Sequence, residues 1–251
     1  MNTPSDGVNA WPNRSDQVSA LLDFHKADVF GLQEAFIGQI EDIHAKLPWM
    51  KWVGVGRDDG EKAGEFSPIF YNSEKYKPVK SGGFWLNEAT DKSGLGWDAA
   101  CNRVCTWIIL KENKSKKQFM VLNTHFDHVG NKARSESAKL ILRKIAELNT
   151  EKLPVVLMGD FNLTPEREPI SLIINELNDS RSVTKKAPYG PVGTFNAFKF
   201  DAPMKDRIDY VFVSKDIEVE RYGVLTDSKD QRYPSDHQPV VVDLKINSGK
   251  K

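Results

Sequence analysis

The 251 residues are enough for one large domain with a substantial core, and no composition shift divides them, so a single domain over 1–251 is expected. Lysine plus arginine equals aspartate plus glutamate at 35 each, so no global field draws in a polyanion; this counts against long DNA or RNA and leaves room for a short or small substrate. No run approaches a membrane span, and the first residues lack the charged-then-apolar build of a signal peptide, so the chain is expected to be soluble.

In chain order, 15–25 carries Val18, Leu21 and Leu22 at helical spacing, with Asn13 or Ser15 as its expected cap. A buried strand over 29–32 leads directly to Glu34, and a second amphipathic helix follows with Ile37, Ile40, Ile43 and Leu47. Strands are expected over 49–55, 67–71 and 84–86, between loops containing Gly, Asp and Lys. Two more, over 103–110 and 118–122, flank the charged stretch 111–117, which reads as a solvated hairpin tip. The helix over 133–148 turns Leu140, Ile141, Ile145 and Leu148 inward. Residues 154–158 show no alternation, as in a strand buried on both faces, with Asp160 just past its end. A helix over 170–177 and strands over 208–213 and 239–244 complete the pattern. Cys101 and Cys105 fall in a segment that reads as strand, where a separation of about 13 Å prevents bridging, so both are expected as free thiols.

Compact polar side chains recur at the strand ends. They occur in 32–34 (Leu-Gln-Glu), 123–128 (Asn-Thr-His-Phe-Asp-His), 159–162 (Gly-Asp-Phe-Asn) and 235–239 (Ser-Asp-His-Gln-Pro). Carboxylates and amides there offer hard oxygens to a divalent ion, and imidazoles beside them bind phosphate oxygens or move protons. Each has a bland alternative: Glu34 at a helix start favours the helix dipole, and His125 and His128 alone would be surface or satisfied core histidines. Asp160 and Asn162, two apart in extended chain, would share a face and one phosphate or water. Asp236 and His237 would point to opposite sides. Asp209 lies in a mostly apolar strand, where a hydrogen bond from a histidine would hold that ring's tautomer and its cationic form.

These segments, with 207–210 (Arg-Ile-Asp-Tyr), resemble in order and spacing the endonuclease/exonuclease/phosphatase superfamily over nearly the whole chain. The stretches 9–14 (Asn-Ala-Trp-Pro-Asn-Arg) and 193–196 (Gly-Thr-Phe-Asn) resemble its bacterial branch related to nocturnin-type deadenylases. The resemblance implies a four-layer α/β sandwich of two mixed sheets packed face to face with helices outside, and a site at one rim. It implies Glu34 and Asp236 at a magnesium (or manganese) ion, and Asp160 and Asn162 orienting the attacking water and the phosphate. His125 would contact the phosphate, and His237 would shuttle a proton with Asp209 behind one of the histidines. Asn123 and Arg103 would face the substrate phosphate, Arg103 being equally readable as an ordinary surface arginine.

One departure stands out. Family members begin with a core strand ending in Asn-Ile-Arg, whereas residues 1–7 resemble the loop after it, so the first core strand is expected to be missing and Asn2 does not take that asparagine's role. Lower stability and weaker metal binding than in a complete relative would follow. A secretion signal ahead of that strand would not be visible, so a cytoplasmic location is the default and a secreted or periplasmic one stays open.

The function expected is divalent-metal-dependent hydrolysis of a phosphoester, foremost a phosphodiester, by in-line attack of an activated water. Neutral charge favours a small, sugar or lipid phosphate. The alternatives are a nuclease on single strands or 3′ ends, with Trp85, Trp97, Phe195 and Phe198 as stacking surfaces, and a non-catalytic phosphate-binding protein.

Overall fold

The computed structural model describes residues 4–246, so Asn2 lies outside the described residues. The chain opens with short 3-10 turns and α1 (Ser15–Phe24), then β1 (Val29–Gly31), α2 (Ile37–Lys46), β2 (Met50–Val53) and β3 (Ile69–Asn72). The three strands form an antiparallel sheet in the order β1-β3-β2. Arg14 rather than Asn13 or Ser15 occupies the α1 cap position, because Asn13 spends its amide on the Gly7 and Val8 carbonyls and Ser15 is already helical.

The middle of the chain builds a six-stranded sheet. Its elements are β4 (Tyr76–Trp85), β5 (Val104–Glu112), β6 (Gln118–His125), α3 (Asn131–Leu148), β7 (Val155–Asp160), α4 (Glu168–Glu176), β8 (Asn178–Asp179), the single turn α5 (Ser180–Val183) and β9 (Asp209–Val213). The strand order is β4-β5-β6-β7-β9-β8, antiparallel except for the parallel pair β6–β7, which α3 connects. Finally β10 (Ile217–Val224) and β11 (Val240–Ile246) pair antiparallel as a separate two-stranded sheet.

Period-two alternation divides the core into layers. In β5, Cys105 and Ile109 join Met120, Leu122, Val155 and Leu157 beneath α3 and α4, whose Leu140, Ile141, Ile170 and Ile173 complete that cluster. Ile108 and Leu110 face the other way and meet Phe119, Val121, Val156, Val213, Ile69 and Val219 between the sheets. A third cluster joins Phe30 and Phe70 to Ile40 and Ile43 of α2 and to Trp11. The result is four layers: helices, the six-stranded sheet, the β1-β3-β2 and β10-β11 part-sheets side by side, and helices again.

Three departures from the expected elements have local causes. β4 begins eight residues before the expected 84, because Tyr76–Gly83 is an edge strand exposed along most of its length and carries Lys77, Pro78 and Lys80, the residues that protect an edge rather than announce a strand. β10 was not expected at all, since the register shift between Val219 and Arg221 breaks its alternation. Cys101 lies ahead of β5 rather than within it, and both thiols are free.

Candidate active site

The register of the large sheet assembles the site. β6 and β7 place His125 opposite Asp160, and β7 and β9 place Asp160 opposite Asp209, so the three form one row across adjacent strands. Each continues the inward row of its strand toward the part-sheets, after Val121, Val156 and ahead of Val213 respectively. The next residue in each strand turns to the opposite face. Phe126, Phe161 and Tyr210 all do so, with Phe161 4.8 Å from Phe126 and 5.6 Å from Tyr210 between ring centroids. Polar function and aromatic support are therefore two sides of the same residue pairs.

Asp160 is not in extended register with Asn162. Asn162 has φ 50°, and its N–H donates to Asp160 Oδ1 at 2.8 Å, folding the two side chains together in a tight turn. Asn162 Nδ2 donates to the Phe126 carbonyl at 3.0 Å and lies 3.0 Å from His125 Nε2. The carbonyl fixes the amide's orientation, so His125 Nε2 is the acceptor and the neutral ring carries its proton on Nδ1. Burial, reinforced by Arg103, His237 and Arg57, holds His125 well below its ordinary pKa. Its Nε2 lies 3.4 Å from Asp160 Oδ2.

His237 is the opposite case. Its Nδ1 lies 2.8 Å from Asp209 Oδ2, and its Nε2 3.9 Å from Asp160 Oδ2. Burial alone would lower its pKa, but Asp209, through charge and hydrogen bond, and then Asp160 and Asp236 raise it to about 10. Burial and the neighbouring Asp209 charge push Asp160 up from the usual carboxylate range. One imidazole is thus neutral and the other cationic, both beside the same carboxylate.

Thr194, which the sequence reading did not single out as a site residue, anchors this arrangement. Its hydroxyl donates to Asp209 Oδ2 at 2.6 Å and accepts from the Ile208 and Asp209 N–H groups at 3.1 and 3.2 Å. Its place in the stretch 193–196 was the available signal in the sequence; its complete burial is visible only in the fold.

Glu34 sits at the end of β1 with φ 56°, so two of the candidate residues, Glu34 and Asn162, hold left-handed backbone conformations that cost side-chain-bearing residues free energy. Asn123 is fully buried, with Nδ2 donating to the Leu32 and Pro68 carbonyls, both at 2.8 Å, and Oδ1 accepting from Gln33 Nε2 at 2.7 Å. It braces the turn that carries Glu34. Gly31 makes room for it, since a Cβ there would lie 2.5 Å from Asn123 Cγ. Arg103 is buried rather than on the surface, 3.5 Å from Asp127 Oδ2 through Nε and 3.1 Å from His128 Nδ1 through Nη2. Asp236 is half-buried; Ser235 Oγ donates to its Oδ1 at 3.4 Å.

Glu34, Asp160, Asp209, Asp236 and His237 all line one cavity. Ligand atoms of Asp160, Asp209 and His237 lie within 4.8 Å of one another. Hard carboxylate oxygens converging on a half-buried cleft suit a divalent cation, and the raised pKa of Asp160 is what carboxylates experience when no cation offsets their mutual repulsion. A second cluster, Cys101, Asp127 and His128, is equally compact, but both Asp127 oxygens are taken: Oδ1 by the Val129 and Gly130 N–H groups, Oδ2 by those of Ala100 and Cys101. That cluster ties loops together rather than offering ligands.

Among the described residues no helix is long and apolar enough to cross a membrane. The chain is 39% identical to a mannosyl-6-phosphatase of Bacteroides thetaiotaomicron, with 96% of this chain and 95% of that one covered and a TM-score of 0.92. The human nocturnin catalytic domain, solved with bound sulfate, is similar in fold at 20% identity, covering 96% and 89%, with a TM-score of 0.76. The RNA exonuclease NGL1 of Saccharomyces cerevisiae is 22% identical over 303 residues, 90% of this chain and 82% of the relative. The signature of the Endonuclease/Exonuclease/phosphatase family matches residues 2–237, and the chain is a hydrolytic member of that family.

Proposed function

We propose that this protein is a divalent-metal-dependent phosphoester hydrolase whose substrate is a small sugar phosphate. The observation that carries the reading is the row His125, Asp160 and Asp209 at adjacent strand ends, closed by His237 on Asp209. The sugar-phosphate class is supported by the 39% identity to the mannosyl-6-phosphatase over nearly both full lengths, together with the absence of net positive charge. It replaces the phosphodiester foremost in the sequence reading with a phosphomonoester.

Glu34 and Asp236 would hold the cation, with Asp160 close by. Bound there, it supplies charge neutralisation on the phosphoryl oxygens. Asp160, its pKa raised and one oxygen held by the Asn162 N–H, accepts the proton of the attacking water. Asn162 holds Asp160 through its backbone N–H and neutral His125 through its side-chain amide, fixing the position of both beside the reacting phosphate. Cationic His237 stabilises the charge that develops there and returns a proton to the leaving oxygen, with Asp209 and Thr194 holding its ring. Arg103 adds positive charge from behind His128. Asn123 acts through the Glu34 turn rather than on the phosphate itself.

The test is phosphate release with magnesium from mannosyl 6-phosphate, other hexose phosphates, bis-nitrophenyl phosphate and oligoadenylate. A hexose phosphate is expected to give the highest kcat/KM, with activity lost on chelation. Preference for oligoadenylate or for the diester would overturn the sugar-phosphate assignment.

A further inference from the structure

The segment 234–238 carries both Asp236 and His237, yet it belongs to no helix or strand apart from the single bridge of His237 with Phe195. No ladder fixes it, so its place depends on individual bonds. On one side the loop 194–198 holds it: the Asn196 N–H donates to the Asp236 carbonyl at 3.1 Å, and the Gln238 N–H to the Thr194 carbonyl at 2.6 Å. On the other side stands Arg14, at the cap position of α1. Its Nη1 donates to the Pro234 carbonyl at 3.0 Å and its Nε to the Asn9 carbonyl at 2.9 Å. The guanidinium carbon lies 5.3 Å from the centroid of the Trp11 ring and 5.6 Å from that of Phe198. Phe198 and Ala197 before it hold successive left-handed conformations, φ 62° and 55°, which persist only where the surroundings impose them. Here they bring the Phe198 ring over Arg14.

Arg14 lines the same cavity as Glu34, Asp236 and His237. Burial brings its guanidinium below the ordinary pKa, against the charges of Asp236, Asp6 and Glu34. By charge alone it would compete with a divalent ion for those carboxylates, but Nε and Nη1 are spent on backbone carbonyls instead. We propose that Arg14 is a positioning residue for the cation site: by joining the turns before α1, the Phe198 loop and the Pro234 carbonyl, it fixes where Asp236 and His237 stand. This rests on the reading above that Asp236 holds the cation. A lysine would keep the charge but lack the planar fork that serves two carbonyls while lying over aromatic rings.

The test is the Kd for Mg2+, by calorimetry on the whole chain, together with backbone hydrogen exchange over 235–238, in the wild type, Arg14→Ala, Arg14→Lys and Phe198→Ala. Arg14→Ala is expected to raise the Kd about 10-fold and to speed that exchange about 10-fold. Arg14→Lys should do nearly the same, and Phe198→Ala should move both in the same direction by a smaller factor. Arg14→Lys keeps the charge and the apolar stem, so the comparison stands even if Arg14→Ala does not fold. A wild-type Kd in Arg14→Lys, or a lowered Tm with Kd and exchange unchanged, would overturn the proposal alone. A wild type that binds no Mg2+ would overturn the reading of the cation site and this proposal with it.

Discussion

Asp209 shows how one side chain sets the state of another. It holds His237 as an imidazolium with a pKa raised to about 10, and Asp209→Asn removes the charge that does so. An NMR titration of the His237 ring is expected to fall by several pH units in that variant, toward about 6.5. kcat for the preferred phosphate ester should drop about 100-fold or more, with a smaller change in KM. Asp127 works differently. Burial would raise its pKa, but N–H donors from Gly130, Val129 and Ala100, with the Arg103 charge, outweigh this and hold the carboxyl at about 2. The folded value is depressed, so the stabilisation is present above about pH 4 and is lost as pH falls toward 2; from one such group it is about 2 kcal/mol. Asp127→Asn should lack that acid-dependent part, measured as the slope of unfolding free energy between pH 4 and pH 2. Polar identity at strand ends was readable in the sequence: Glu34, His125, Asp160, Asp209 and His237 all stood out. What one sequence does not carry is which groups a residue spends its hydrogen bonds on, so the anchoring of Asn123 on the Leu32 and Pro68 carbonyls, of Arg103 on His128 and of Thr194 on Asp209 was not legible.

The strand β9 and the stretch before it join site and scaffold. In 207–210, Asp209 faces the cleft, while Arg207 forms a buried bidentate pair with Asp179 at 3.0 and 2.6 Å and lies 4.4 Å over the Tyr210 ring. Tyr210 in turn donates to the Leu163 and Arg207 carbonyls. Asp179→Ala leaves the Arg207 cation buried without its partner and is expected to cost about 3–5 kcal/mol in urea unfolding. Phe161→Ala removes the ring that supports all three site strands and should cost a similar amount, about 3–5 kcal/mol. Elements with strong apolar pattern, such as β5, β6 and β7, were legible from residue order. The edge strand β4 and the bulged β10 were not, because edge protection and a bulge replace the alternation that identifies a strand.

Over the whole molecule, stability should be greatest at the centre of the large sheet and least at its margins. Backbone exchange is therefore expected to be slowest in β5, β6 and β7 and fastest along Tyr76–Lys80. Layer order followed from the resemblance to a sandwich family, whereas the division of the second layer into two part-sheets rests on which strands pair, β1 and β2 on β3 and β10 on β11, which residue order alone does not give. The site lies where those distant segments meet. The proposed function requires that His237 and Asp160 act together on one phosphoryl group beside a bound divalent ion. The direct measurement is the magnesium-dependent rate of phosphate release from mannosyl 6-phosphate by the wild type, His237→Ala and Asp160→Ala, each first checked by circular dichroism for an intact fold. Both variants are predicted to lose about 100-fold or more in kcat. Rates equal to wild type in either folded variant would contradict the account.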